Sequence, residues 1–480
     1  MICIEDNSLN DKSRRMTQSP NPLILPMIVS ALWLMLSHPN PAQATDLLAV
    51  YNQAALEDPQ IEQARATLAA VQETQTQASA ALFQPEVNIS ANVNKAWSTI
   101  KESGGGGITG STGSFNYINN GYSLTLSQPI LHVDRFIQWQ QADSKVAQAE
   151  AQFAAAESEL LLRVAERYFA VLAAQENLAF AKAQADSLAR KLNETQQHEA
   201  AGYLAMTDVL EAQSGYDHAA ADVVESEQKL KDATESLEEV TGVHYTDLAK
   251  LKDDIPLVPP DPVVEAPWVE QALNQNLGLK AEEYAVQLAK ADIDVAKAGH
   301  LPTLDANGSY GVNNTGGGRF GSVEGEDIII GLNFNMPIYL GGRVNSKTRE
   351  AQQLYRKSQG LLKQTQRAVK RQASQAFLGV TAGISRVKAW QDTLKSSDAA
   401  EQGTEAGFRA GYRTPLDMIV AERDRLSAQR DLSRARYDYL LSTLRLKQAV
   451  GTLSPEDLVK VNGWLDGSKT HSARGYHDRK

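Results

Sequence analysis

The sequence predicts an α+β membrane protein in which a β-barrel shared between three chains continues into long α-helical coiled coils, with the plan written twice in each chain. Three observations lead there. Motifs recur at an offset of about 209 residues, long stretches without Gly or Pro carry coiled-coil periodicity, and two pairs of alternating runs follow an export signal.

Residues 1–44 read as that signal. Lys12, Arg14 and Arg15 supply positive charge, Leu23 to Leu36 an apolar run, and Ala42-Gln43-Ala44 a small-residue cleavage site. The run holds 14 residues with Pro26 inside it, short of the roughly 20 that a spanning helix needs. Cleavage removes Cys3, the single cysteine, so the mature chain offers no disulfide and no thiolate metal site. Nothing later approaches the length of an apolar transmembrane helix, so a membrane role must come from strands.

The duplication follows from spacing. Ala201-Gly202-Tyr203 with Asp208 recurs as Ala410-Gly411-Tyr412 with Asp417, offset 209 in each case. Pro129 to Gly202 spans 73 positions and Pro337 to Gly411 spans 74, whereas Pro85 to Pro129 spans 44 and Pro302 to Pro337 only 35. Packed helices hold their lengths, because an insertion would break the register of every contact, and exposed loops do not. Each copy therefore joins a rigid helix hairpin to a strand hairpin with an adjustable loop.

The helices are rods. Asp134 to Ala201 contains no Pro or Gly, and 68 helical residues reach roughly 100 Å at about 1.5 Å each. Leu161, Ala165, Tyr168 and Leu172 recur at 4-3-4 spacing, and Leu432, Ala435, Tyr439, Ser442, Leu446 and Ala449 at 3-4-3-4-3. Shorter helices are predicted over Leu47 to Leu82 (Pro59 opens a helix after the capping Asp58), Thr207 to Thr241 and Pro267 to Ala298. Two such pieces placed end to end match one long helix.

The strands alternate. Val87, Ile89, Ala91, Val93 and Trp97 face one way and Asn88, Ser90, Asn92 and Asn94 the other; Tyr122, Leu124 and Leu126 oppose Ser123, Thr125 and Ser127. In the second copy Leu304, Ala306 and Tyr310 oppose Asp305, Asn307 and Ser309, and Ile328, Ile330, Leu332 and Phe334 oppose Gly331, Asn333 and Asn335. Each run spans about 9–11 residues, the length of a tilted membrane strand. Four strands cannot close a membrane barrel, which begins at about eight, and an eight-stranded interior is filled by side chains. Three chains supply twelve strands and leave an open duct. The loops Gly104-Gly105-Gly106-Gly107 and Gly316-Gly317-Gly318 suit exposed, flexible turns. Aromatics near strand ends (Trp97, Phe115, Tyr117, Tyr339) are candidates for interface girdles, or else scattered surface rings.

The domain reading is then a signal at 1–44, a first repeat at 45–252, a Pro-rich linker at 253–267, a second repeat at 268–452, and a C-terminal segment with a disordered tail at 453–480. The net charge of −11 argues against binding nucleic acid. No catalytic arrangement stands out. His132, His198, His218, His244 and His300 are isolated, no His pair has zinc spacing, and neither Gly run carries the Lys-Ser/Thr of a phosphate loop, so no cofactor or metal is expected.

The segments GHLPTLD (299–305), MPIYLGGRVNS (336–346) and AGYRTPLDM (410–418), in this order within a duplicated plan, resemble the TolC family of outer-membrane efflux channels over roughly Asp46 to Leu465. The resemblance implies a homotrimer whose barrel lies in outer-membrane lipid and whose α-helical coiled-coil barrel extends into the periplasm. It implies a passive exit duct for efflux or type I secretion, not an enzyme, opened by a periplasmic adaptor protein and an inner-membrane pump or ABC exporter. The family's entrance elements carry over onto hairpin tips near Gly202 and Gly411, and onto an Arg-to-Thr-Asp bond that here involves Arg413 with Thr207 and Asp208. A Tyr of that lock is replaced by Phe408, which cannot hydrogen-bond. Of two constriction Asp rings, Asp417 matches one, and Val420 stands at the other. Threefold symmetry would turn Asp417 into a ring of three carboxylates that favours cations. Without the resemblance, Asp208 and Asp417 read as solvated helix surface. Two other classes stay open, a trimeric adhesin and a periplasmic coiled-coil scaffold, although adhesin strands would be consecutive near the C-terminus.

Overall fold

The computed structural model describes residues 44–100, 113–317 and 321–466. The expected signal, the Gly104–Gly107 loop and the tail beyond 466 lie outside them. The elements run α1 (Leu47–Glu57), α2 (Pro59–Phe83), β1 (Glu86–Ile100), β2 (Gly113–Leu131), α3 (Val133–Ala200), α4 (Met206–Thr241), α5 (Glu265–Gln275), α6 (Leu277–Ala298), β3 (Thr303–Gly316), β4 (Val323–Asn335), α7 (Arg343–Arg409), α8 (Pro415–Val450) and α9 (Pro455–Asn462). Each repeat is thus a helix, a strand hairpin and a helix hairpin. Among the described residues no helix is long and apolar enough to cross a membrane.

The 68-residue α3 and 67-residue α7 run from the strand end to the tips, and shorter helices pack along them in pairs. Alongside α3 lie α2 near the strands and α4 near the tip; α7 is flanked in the same way by α6 and α8. Breaks between pieces are capped. Asp58 accepts from the amides of Gln60 (2.6 Å) and Ile61 (3.2 Å), and its carboxylate, only 2% exposed, meets Arg163 Nη2 at 2.6 Å. The helix predicted as continuous over Pro267 to Ala298 starts at Glu265, inside the predicted linker, and breaks at Asn276. The Asn276 carbonyl oxygen accepts from Leu279 N (3.0 Å) while its amide donates to Ala449 O (2.9 Å), so tertiary bonding to α8 rewards the break.

The core sits at mid-height, where chain segments distant in sequence tie the rods together. Leu47, Val50 and Ala54 of α1, Tyr168 and Phe169 of α3, Leu237 of α4, and Leu458 and Leu465 are buried together. Thr45 bridges Leu248 and Leu251 bridges Leu465. The Tyr168 hydroxyl donates to Ala249 O at 2.7 Å. The heptad residues Leu161, Ala165, Tyr168 and Leu172, and Leu432, Ala435, Tyr439, Leu446 and Ala449, are buried as the periodicity predicts.

One antiparallel sheet has the order β1-β2-β3-β4, with β1 and β4 as its edges. The hairpins share one register counted from their prolines. Glu86, just after Pro85, pairs with Ser127, two residues before Pro129; Thr303, just after Pro302, pairs with Asn335, two before Pro337. The strands run 13–19 residues, longer than the predicted 9–11. The apolar alternation has the predicted length, and the pairing simply continues past it as a polar ladder, as in the 3.0 Å hydroxyl bond between Thr99 and Ser114.

Candidate functional site

Two regions stand out: the apolar face of the sheet and the helix-hairpin tips. On one sheet face the register aligns Val87, Leu126, Gly308 and Ile330 in one row, and Ile89, Leu124, Tyr310 and Ile328 in the next. Ile89, Leu124, Leu126, Ile328, Ile330, Leu332 and Phe334 on it are exposed, Ile330 by 87%. The apolar rows end where Tyr310 donates to Glu326 (2.9 Å) and rests against Tyr122. From Leu304 to that row is about eight residues, roughly 26 Å of strand, or about 20 Å of height at a tilt of about 40°. The opposite face carries Asn88, Ser90, Asn92, Ser123, Thr125, Asn307 and Asn333, with exposed Ile329 as an apolar exception, so the sheet is apolar on one side and mainly polar on the other.

Of the predicted girdle, Trp97 lies on the apolar face, 73% exposed with Lys95 Nζ 5.5 Å from its ring centre, and Tyr339 is exposed below β4. Tyr117 is corrected: it pairs with Ala96 and therefore sits on the polar face. The Phe115 side chain lies outside the described ones. The Tyr122–Tyr310–Glu326 group is a candidate for the same role that the sequence reading missed. His132 is not isolated either. Its Nε2 lies 2.9 Å from Asp305, joining the α3 start to the foot of β3.

Both tips close in the same way. Gly202 (φ +78°) and Gly411 (φ +80°) adopt the left-handed conformation that favours glycine. Tyr203 N donates to His198 O and Tyr412 N to Gly407 O, while the glycine amides reach Glu199 O and Phe408 O, which caps each long helix with a Schellman turn. The chain then re-enters a helix. At the second tip Thr414 and Asp417 form a reciprocal box: Asp417 Oδ2 accepts from Thr414 N (2.8 Å) and Oγ1 (2.9 Å), and Asp417 N donates to Thr414 Oγ1 (3.2 Å). At the first tip Ala205 has no side-chain oxygen, so only half of the box forms, Ala205 N to Asp208 Oδ2 at 3.0 Å. The hydrogen bond from Thr414 N–H, helped by the Thr414 hydroxyl and the nearby Arg413 cation, holds the Asp417 carboxyl below its ordinary range.

Within one chain the predicted lock is not assembled. Among the described residues no hydrogen bond or ion pair joins Arg413 to Thr207 or Asp208. Arg413 folds over the last turn of α7 instead, where a methyl group on Gly407 would lie 2.8 Å from its Cγ. Sequence reasoning missed Gly407, whose lack of a side chain makes room for the arginine. Arg413, Asp417, Val420 and Asp424 line one groove with Asp392 and Thr404 of α7. Phe408 and Val420 are half-exposed. Glu422 turns away and accepts from Ser187 of α3 at 3.1 Å. No cluster of His, Cys, Asp and Glu among the described residues could hold a metal ion.

The geometry has close counterparts. The family model described as "Outer membrane efflux protein" matches residues 50–243 and 268–452. The chain is 34% identical over 451 residues to outer membrane protein TolC of Vibrio cholerae, covering 93% of this chain and 99% of that one. It is 28% identical over 439 residues to the alkaline protease secretion protein AprF of Pseudomonas aeruginosa, covering 90% of each. Among solved structures, the Campylobacter jejuni CmeC outer membrane channel superposes with a TM-score of 0.70 at 16% identity, over 90% of this chain and 94% of that one.

Proposed function

Because this chain belongs to the outer membrane efflux protein family, whose members are outer-membrane channels, we propose that it is the exit duct of a tripartite efflux or type I secretion system. One observation carries the reading: a four-stranded sheet with two unpaired edges and one exposed apolar face. In lipid, unpaired edges are costly, so β4 of one copy pairs with β1 of the next, and three copies close a twelve-stranded barrel. The polar face then lines the conduit. The rods continue the wall into the periplasm, and the cargo passes without chemistry.

At the far end we assign the gate to the predicted residues acting between copies. Arg413 of one copy reaches Thr207 and Asp208 of its neighbour, and Asp417 forms a ring of three carboxylates, with Phe408 and Val420 loosening the constriction where the family has Tyr and Asp. Exposed Tyr203, Met206, Tyr412 and Leu416 at the tips give an adaptor apolar ground to engage, and an inner-membrane pump or exporter supplies the energy.

The repeat makes the barrel testable. Within the chain, Gln128 (one before Pro129) pairs with Ala306 (four after Pro302). The same rule at the joint between copies pairs Met336 with Ile89 and Asn333 with Asn92. Asn92→Cys with Asn333→Cys, in a background lacking Cys3, should form a covalent trimer on oxidation. Monomers alone, from protein still embedded in lipid, would defeat the proposal.

A further inference from the structure

Helix α7 carries a charge pattern that its duplicate lacks. From Arg343 to Gln391 it has eleven Lys or Arg and a single acidic residue, Glu350, whereas the first 49 residues of α3, Val133 to Ala181, have four basic and seven acidic. The duct architecture therefore does not require the pattern. At about 100° per residue, Arg349, Arg356, Lys363, Arg367 and Lys370 share an arc of about 60°. All five are exposed, and among the described residues none forms an ion pair or side-chain hydrogen bond. Like charges stacked three and four residues apart destabilise a helix, so an unneutralised stripe works against folding.

Its direction follows from neighbours. The stripe lies about 115° round the helix from the buried line of Val344, Ala351, Val369 and Ala373. Ser374, which falls in the same arc, donates to Glu265 of α5 at 2.5 Å. A segment packed across the wall must lie outside it if the lumen is to stay open, so the stripe faces outward, between the barrel and the mid-height belt. This step rests on the duct reading above.

We propose that the stripe binds an extended, carboxylate-bearing polymer lying alongside the duct, namely the cell-wall mesh that a duct through the periplasm must pierce. Three features select this partner. The stripe runs along the helix axis for roughly 30 Å, whereas a bilayer leaflet lies across that axis and its field fades within about 8 Å, so lipid could reach only the Arg343 end. The other positions of the arc, exposed Asn345 and Gln352 and half-buried Ser374, are polar, so the arc carries none of the apolar anchors of a specific protein interface. Finally, Arg349, Arg356, Lys363 and Lys370 recur every seven residues, about 10 Å apart, a ladder suited to a chain bearing repeated anions.

The test is co-sedimentation of the purified full-length trimer with isolated cell-wall sacculi, beside vesicles containing anionic phospholipid. Sacculi should retain the protein at low salt and release it as salt rises. Replacing the five residues by Gln (R349Q, R356Q, K363Q, R367Q, K370Q) should weaken retention at least tenfold, with trimer and conductance unchanged. Changing the three arginines to Lys should largely preserve it, as should K229Q with K231Q on α4. Amidating the sacculus carboxylates should release the unaltered protein, an arm that depends on no variant. Equal retention of the Gln variant, indifference to amidation, or a charge-dependent preference for vesicles over sacculi would overturn the proposal. Failure of the duct reading would show separately, as a monomer without conductance.

Discussion

Two glycines with nearly the same backbone angle should respond very differently to the same substitution. Gly411 (φ +80°) ends α7 at the tip, and Gly451 (φ +81°) ends α8 at mid-height. An L-residue in this conformation costs about 1–2 kcal/mol, and at Gly411 that is the whole cost, because a Cβ there meets nothing within 4 Å. At Gly451 the Cβ would lie 2.4 Å from Gln275 O and 3.0 Å from Gln275 C, the backbone at the α5–α6 break. Backbone must move, and overpacking adds about 1–3 kcal/mol, for a total of about 2–5 kcal/mol. The reduced freedom of the unfolded chain favours alanine equally at both sites and cancels in the difference. Denaturant unfolding of each variant in detergent, followed by helical circular dichroism, should place Gly451→Ala about 1–3 kcal/mol below Gly411→Ala. Equal losses would mean that the turn after α8 does not press on the α5–α6 break, and the account of how Asn276 is held would fall with it.

Other outcomes follow from the same reasoning. Asp58→Ala removes a helix cap and leaves Arg163 with only the neutral Gln60 side chain as partner, so a loss of about 2–4 kcal/mol is expected, with Asp58→Asn retaining the cap and losing less; thermal melting orders the two. Burial, only partly offset by the Tyr437 hydroxyl, raises the Glu176 carboxyl above its ordinary 4.5. The folded chain then binds that proton more tightly, so stability from this group grows as pH falls through the raised value and levels off below 4.5. Glu176→Gln should flatten that part of a melting-temperature-versus-pH curve and raise its neutral limb. In planar bilayers Asp417→Asn should weaken cation preference and Arg413→Ser should enlarge the open conductance, and unchanged currents in both would remove the entrance assignment while leaving the fold intact. Gly407→Ala should act in the same direction as Arg413→Ser but more weakly, since Arg413 needs only to shift aside.

The rods were legible because their signals are local. Freedom from Gly and Pro between Asp134 and Ala201, with heptad spacing around Tyr168, needs no partner to be recognised, and α3 falls within a residue of the expected bounds. Asn276 was not legible as a break, because what favours it is a hydrogen bond that its side-chain amide donates to Ala449 O, 173 residues away. Strand lengths were underestimated for a related reason. Alternation records which residues share the exposed apolar face, while the pairing that extends β2 to 19 residues depends on backbone partners that side-chain pattern does not reveal. Parity counted back from Tyr122 puts Tyr117 on the polar face, a signal that nearness to a strand end hides. At the tips, Thr414 and Asp417 form a capping pattern visible in sequence, yet the room that Gly407 leaves for Arg413 emerges only once the turn is folded.

Because both strand hairpins are indexed from prolines at their feet, pairing is set from the base upward, and each distal turn is the last part to be specified. Length can be gained or lost there without a single rung changing partner. On the duct reading proposed above, a peptide grafted between the ends of β1 and β2 should therefore leave the paired strands and the assembly of copies untouched.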